Sequence, residues 1–373
     1  MLRDSVADFV ARATDIARVR RMRAQGQECD RALWSRMAEL GWLGILVPEA
    51  CGGLGLGLSE AAIVAEGLGG ALVPEPYTAV AVLSATALAQ GSQTELRDRL
   101  LRELASGESL VALAWQEVAG DIDIGAIDAR ATPFEGGYRL EGVKRYVSGG
   151  AAADGYILTA RVDDDVAMFW VPRQTPGVDV SSEPLADGRP SATVSLENAL
   201  VPRAHDLARG AAARSALEAA RDAATVIASA ELLGVMQRAL DMSLDYMRTR
   251  VQFGKPIGSF QALQHRAVDL YIQRQLASAV LEDGLRRYAG ATDAHSRAVI
   301  ASRVKARCSE AGLRIAREAI QIHGAIGFTD EYDAGLYLKR ALVLAAWLGN
   351  AALHRRRYAK LALQHSDKLQ VNS

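Results

Sequence analysis

Three cysteines in 373 residues, Cys29, Cys51 and Cys308, are too few and too far apart for a disulfide framework, and no two form a CxxC pair. The same spacing argues against a cysteine zinc site and fits a reducing compartment. The six histidines, His205, His265, His295, His323, His354 and His365, stand apart, with no HExxH and no pair one helical turn apart, so no metal site is expected. GxSxG elbows and Walker loops are absent as well. With a formal net charge of −1 the chain offers no overall field to nucleic acid or to an anionic membrane. The arginine clusters Arg18, Arg20, Arg21, Arg23 and Arg355, Arg356, Arg357 read as solvated helix faces. No apolar run approaches the roughly 18 residues of a membrane span, and the N-terminal MLRDSVADFV carries acids, unlike a secretory signal. The expectation is a soluble, cytoplasmic protein.

What is present is a globular composition, half hydrophobic and about a quarter charged, over a length that suits more than one domain. The first hundred residues carry helical spacing, as at Val6, Phe9, Val10, Ala13 and at Leu33, Met37, Leu40. VPEACGGLGLG, residues 47–57, breaks them with Pro48 and a run of glycines. Lacking a strand–turn–helix context, it reads as an irregular loop and not as a dinucleotide fingerprint. Helix resumes from Ser59, an expected N-cap, and again around Thr94. Near Ser109 the pattern changes. FEGGYRLEG and the acidic turn Asp163–Asp165 each signal a hairpin, and SATVSLENALVP alternates like a strand. From Ala211 a period near 3.6 returns in four long helices, about 211–250, 259–289, 293–323 and 332–365, joined by short turns. The chain is therefore read as an α+β protein: an N-terminal helical domain at 1–108, a central antiparallel β domain at 109–210 and a C-terminal four-helix bundle at 211–373.

Two turns interrupt the bundle with residues a helix does not favour. In RTRVQFGKPIGSFQALQH, an arginine at a helix C-terminus, a new helix N-terminus after Ser259 and the aromatics Phe253 and Phe260 together suit a nucleotide cofactor. Arg250 alone would be explained as a cation complementing a helix dipole. In QIHGAIGFTDEY, Gly324 ends a helix and Gly327 permits close backbone approach, which a simple C-cap also explains. A third interruption, Trp347-Leu348-Gly349-Asn350, cuts the last helix.

In this order, around a β domain, these segments resemble the acyl-CoA dehydrogenase family over nearly the whole chain. The family's PE-x-GG-x-G loop matches Pro48, Glu49, Gly52, Gly53 and Gly55, and its TEP-x-AGSD segment survives in weakened form as QEVAGDID from Gln116. G-x-K-x-[WF]-[IV]-[TS] matches Gly142, Lys144, Tyr146, Val147 and Ser148, and the late VP matches Val201 and Pro202. R-x-x-FG-x-P matches Arg250, Phe253, Gly254 and Pro256, followed by Ile257, Phe260 and Gln261. Q-x-x-GG-x-G-(F/Y) matches Gln321, Gly324, Gly327 and Phe328, with Ala325 at its second glycine.

The resemblance implies FAD as cofactor, α,β-dehydrogenation of an acyl-CoA in lipid metabolism, a homo- or hetero-tetramer, and electron-transfer flavoprotein or a similar acceptor. By the same resemblance Arg250 holds the pyrophosphate with Gln252 and Phe253 beside it. Phe260 and Gln261 line the adenosine, and the backbone from Gln321 through Gly324 to Ala325 closes the site from across an interface. Gln116 and Ser148 contact the isoalloxazine ring. Trp115 is either a flavin neighbour or plain core. Asp222 matches an aspartate that contacts CoA, while an arginine common three residues on is Thr225 here.

The two places where the family carries its catalytic carboxylate correspond to Leu348 and Ala224, and neither can take a proton. Glu231, seven residues past Ala224, either meets a polar acyl group, acts as a displaced base, or is a charge paired at a helix or subunit interface. The C-terminal LYLKRALVLAAWLGNAALHRRRY resembles bacterial members that work as paired unlike subunits on bulky acyl-CoAs. The expected function is thus dehydrogenation as one subunit of a hetero-oligomer, with the catalytic residue not assigned. A same-fold flavoprotein that oxygenates its substrate, and a non-catalytic assembly subunit, remain alternatives.

Overall fold

The computed structural model describes residues 1–371, with side chains as far as Leu363 apart from that of Ala13; the His365 side chain lies outside these. The helices are α1 (Leu2–Ala13), α2 (Ile16–Gln25), α3 (Arg31–Glu39), α4 (Leu58–Gly70), α5 (Ala85–Ala89), α6 (Glu95–Ala105), α7 (Gly210–Thr249), α8 (Gln261–Ala289), α9 (Ala294–His323), α10 (Ala334–Ala346) and α11 (Ala351–Val371). The strands are β1 (Val111–Ala114), β2 (Arg130–Phe134), β3 (Gly137–Val147), β4 (Gly155–Val162), β5 (Asp165–Pro172), β6 (Val178–Pro184), β7 (Pro190–Pro202) and β8 (Asp206–Arg209), with a short hairpin β9 (Val251–Gln252) and β10 (Lys255–Pro256). Two compact units emerge, one of residues 1–20, 62–73 and 225–373, the other of residues 21–61 and 74–224.

In the second unit the strands order β6-β7-β3-β2-β4-β5-β8, mostly antiparallel, while β1 joins β4 in parallel. The two expected hairpins form. Phe134 pairs with Gly137 across Glu135-Gly136, and Val162 pairs with Asp165 across Asp163-Asp164. Strand β6 had no sequence signal because it is an edge strand with most residues exposed, so no apolar alternation marks it. Thr94 caps α6 as expected, accepting from the Arg97 N–H at 3.1 Å. Ser59 is not a cap: α4 starts at Leu58, and Glu60 instead accepts from the Gly57 N–H at 3.1 Å.

In the first unit α9 is the central helix, burying Ala301, Val304, Lys305, Cys308, Ala311, Ile315 and Ala319 at three- and four-residue spacing. Helices α4 and α7 touch backbone to backbone: a Cβ on Gly234 would lie 1.9 Å from the Glu66 carbonyl, and one on Gly69 would lie 2.2 Å from that of Glu231. Helix α7 corrects the expectation that no segment is apolar and long enough to span a membrane. By length and composition it is, and 89% of that window is buried inside the fold. The expected fourth long helix is cut into α10 and α11 at residues 347–350.

Candidate functional site

On the first unit, Phe253 and Gly254 take left-handed φ of 53° and 77°, which turns β9 back onto β10. The turn is tied to α7 because the Ile257 N–H donates to the Arg250 carbonyl at 2.8 Å. Gly258 packs so close that a Cβ would lie 2.8 Å from the Met247 carbonyl. Phe253 is 92% exposed, its ring 6.1 Å from that of Phe260 and almost perpendicular to it. Lys255 Nζ sits 4.5 Å from the Phe260 ring centroid. Arg250, Gln252 and Gln261 are exposed, and among the described residues no carboxylate pairs with Arg250. An exposed guanidinium on the same turn as the exposed Phe253 ring fits a diphosphate joined to a flat ring system.

The second turn of that unit is brought to the first by Tyr246. Its ring centroid lies 4.6 Å from that of His323, and its carbonyl accepts from the Arg250 N–H at 2.8 Å. His323 Nδ1–H donates to the Ala319 carbonyl at 2.6 Å, which leaves Nε2 to accept from the Tyr332 hydroxyl at 3.0 Å. Burial holds this imidazole below its usual range. Gly324 has φ 64° and open space where a Cβ would stand, whereas at Gly327 a Cβ would meet the Ile320 carbonyl at 2.8 Å. Gln321 and Ala325 face outward. Tyr246 thus links the two sequence-identified turns. The Tyr246–His323–Tyr332 cluster beneath them was not anticipated, although the aromatic four residues before Arg250 was a visible signal.

On the second unit, Gln116 follows β1. Its Nε2–H donates to the Asp121 carbonyl at 2.7 Å, and its own carbonyl accepts from the Arg145 N–H at 2.8 Å. Neighbouring Glu117 accepts from the backbone of Asp128 at 2.7 Å and Ala129 at 3.1 Å, and forms an ion pair with the fully buried Lys144. Burial pushes Lys144 down to about 8 even with this partner. Ser148 ends the run after β3 and is half-buried. The turn after it is held by Glu28, which accepts from Gly149 N–H at 2.7 Å and Ala152 N–H at 3.0 Å. Burial raises the Glu28 carboxyl to about 7, outweighing those bonds. Trp115 is core. Neither Glu117 nor Glu28 was singled out from sequence, because a lone acid carries no pattern. Asp222 is 2% exposed and held by Arg221, whose Nε lies 3.0 Å and Nη2 3.2 Å from its oxygens.

The two carboxylate positions are buried and apolar: Ala224 lies inside α7, and Leu348 is 1% exposed. Helix α10 stops at Ala346; Leu348 and Gly349 take φ of 59° and 96°, and Asn350 Oδ1 then caps α11 by accepting from Leu353 N–H at 2.9 Å. A Cβ on Gly349 would press on His354 Nε2 at 2.9 Å. Glu231 resolves to its paired alternative, with Arg340 Nε at 3.0 Å from its Oε1, both buried.

The comparisons with known proteins bear on this arrangement. Residues 1–108 match the model of the acyl-CoA dehydrogenase N-terminal domain and residues 205–363 that of the acyl-CoA dehydrogenase C-terminal domain. Acyl-CoA dehydrogenase FadE27 of Mycobacterium tuberculosis is 32% identical over 342 residues, covering 90% of this chain and 88% of its own. The ChsE4-ChsE5 complex of Mycobacterium tuberculosis aligns with TM-score 0.86 at 29% identity, over 96% of this chain and 95% of that one. A variant of the Tcur3481-Tcur3483 steroid ACAD aligns with TM-score 0.87 at 26% identity, over 98% of each chain. The chain belongs to the acyl-CoA dehydrogenase family. It is accordingly an FAD-dependent oxidoreductase acting on the CH–CH bond of acyl-CoA thioesters.

Proposed function

We propose that this chain is one of two unlike subunits of an acyl-CoA dehydrogenase acting on a bulky acyl-CoA. One observation carries the reading: the surface suited to FAD is intact while both family positions for the catalytic carboxylate hold Leu348 and Ala224. The α-proton of a thioester is far too weakly acidic to leave without a carboxylate, and Glu231 is committed to Arg340. The carboxylate then comes from the partner subunit. Paired unlike chains such as ChsE4-ChsE5 and a steroid ACAD among the structural neighbours support both the pairing and the bulky substrate.

In this reading Arg250, Gln252, Phe253, Phe260 and Gln261, with the backbone of Gln321, Gly324 and Ala325, hold the adenosine diphosphate end of FAD for a neighbouring subunit. Exposed Val268, Tyr271, Ile272 and Leu276, on successive turns of α8, give that neighbour an apolar face, as a tetramer requires. Gln116 and Ser148 contact the isoalloxazine ring. FAD, when bound, accepts the β-hydrogen as hydride. The chain's own contribution to the acyl group is the Leu348 N–H, which polarises the thioester carbonyl while the partner's carboxylate takes the α-proton. Electrons leave to an electron-transfer flavoprotein or similar acceptor. Three unpaired, buried thiols suit a cytoplasmic location. The test is to express the chain alone and with the candidate partner encoded beside it, then follow the flavin spectrum on adding acyl-CoAs. Bleaching only in the pair is expected; full bleaching by the lone chain sinks the two-subunit reading.

A further inference from the structure

We infer that Lys305 is a positioning residue for the Leu348 N–H: by capturing the Leu344 carbonyl it ends α10 early and leaves that amide to a ligand carbonyl. The inference rests on the reading that an acyl thioester lies at the Leu348 turn.

In an α-helix each N–H bonds the carbonyl four residues back, so the helical partner of Leu348 N–H is Leu344 C=O. That carbonyl instead accepts from Lys305 Nζ, which reaches it from α9. The residues on either side keep ordinary bonds: Trp347 N–H donates to Val343 at 2.8 Å and Gly349 N–H to Ala346 at 3.1 Å. Among the described residues none accepts from Leu348 N–H. Buried amides are paired in the great majority of structures, so an unpaired one at a buried residue calls for a ligand.

The far side of Leu348 is fixed too. Its carbonyl lies 2.8 Å from His354 Nε2. A carbonyl only accepts, so that nitrogen carries the hydrogen. The turn is thereby held at Leu344 by Lys305 and at Leu348 by His354, with Leu348 at a left-handed φ of 59°, a conformation that costs a leucine about 1 kcal/mol or more. Lys305 is itself an expensive choice. It is fully buried beside Cys308, Glu231 and Arg340, and the one carboxylate there is already paired with Arg340. A methionine would fill the same space without that cost, and what it would lack is the donor to Leu344.

The experiment compares the assembled FAD-bound protein with Lys305→Met and Lys305→Gln. Hydrogen exchange across residues 343–350, read by mass spectrometry, reports the turn without any ligand. Lys305→Met should let α10 extend and slow exchange at Leu348 at least tenfold, with amides in the middle of α9 unchanged; no slowing overturns the inference. The second readout is affinity for an acyl-CoA thioester against the matching S-alkyl thioether, which has no carbonyl. Lys305→Met should weaken the thioester roughly five- to tenfold and leave the thioether unchanged; equal loss of both overturns it. Lys305→Gln keeps an N–H donor and should restore both readouts; if it behaves as Met, packing alone explains Lys305 and the inference falls. If the wild type binds neither ligand, the acyl-CoA reading fails, while the exchange result still judges Lys305.

Discussion

Arg340 Nε lies 3.0 Å and Nη2 2.5 Å from the same oxygen of Glu231, with both residues under a tenth exposed. The pair turns an acid that sequence left open as a displaced base into part of the framework. Breaking a buried pair from one side strands the other charge, at about 3–5 kcal/mol. The two sides differ here because Lys305 also feels both partners. Glu231→Gln leaves two cations together, whereas Arg340→Met leaves Glu231 with Lys305. Urea unfolding of the assembled protein should therefore show the larger loss for Glu231→Gln. The double variant Glu231→Leu/Arg340→Met should recover most of it.

The cofactor surface makes a second prediction. Hydrogen bonds from a guanidinium to a charged group contribute about 1.5–3 kcal/mol, which is roughly tenfold to 150-fold in affinity. Arg250→Ala should weaken FAD binding by that factor, measured by flavin fluorescence. Arg250→Lys should restore only part of it, because an ammonium keeps the charge but not the two-pronged geometry. An unchanged affinity would remove Arg250 from the site.

How far the sequence led depends on whether a feature is periodic or solitary. The hairpins at Glu135-Gly136 and Asp163-Asp164, the length of α7 and the turn at Arg250–Gln261 all announce themselves by local pattern. Strand β6 does not, because an exposed edge needs no apolar alternation. Nor could a linear reading show that residues 62–73 join the unit of residues 225–373, since the glycine contacts of Gly69 and Gly234 bridge distant segments. Around the proposed site, motif residues such as Arg250 and Gln116 stand out by local pattern, while Glu28, Glu117 and Lys305 act through backbone groups that sequence does not display.

Restoring the missing carboxylate is a direct test of what this chain lacks. Leu348→Glu places an acid at the family position, and burial at that site raises its basicity. If the base is all that the partner supplies, the lone FAD-bound variant should reduce its flavin with acyl-CoA at least tenfold faster than the wild-type lone chain. Rapid-mixing absorbance at the flavin band reads this. No gain would mean the partner supplies substrate pocket as well as base.

Glu28 makes stability depend on pH in a defined direction. Its carboxyl is raised by burial from 4.5 to about 7. Between those values the folded protein keeps a proton that the unfolded chain has released, so the contribution of this group falls as pH rises through that window and is flat above it. Glu28→Gln removes the titration. The Tm difference between wild type and Glu28→Gln should therefore shift against the wild type from pH 4.5 to 7, by the equivalent of on the order of 3 kcal/mol at most. A difference independent of pH would show that the backbone bonds from Gly149 and Ala152 outweigh burial.

The contact between α4 and α7 should be the least tolerant of added atoms. A Cβ on Gly234 would stand 1.9 Å from the Glu66 carbonyl, and its second neighbour, Gly70 N, 2.8 Å away, is also backbone. Backbone cannot rotate aside as a side chain can, so the two helices would have to separate. Gly234→Ala should cost about 3 kcal/mol or more. Gly335, in α10, has nothing within 4 Å of its Cβ position. Gly335→Ala should instead stabilise by about 0.5 kcal/mol through the unfolded chain. Thermal unfolding of the two variants side by side reads the sign of each. If Gly234→Ala matched Gly335→Ala, α4 and α7 would not be in backbone contact, and the packing that sets Glu231 beside Arg340 would need another cause.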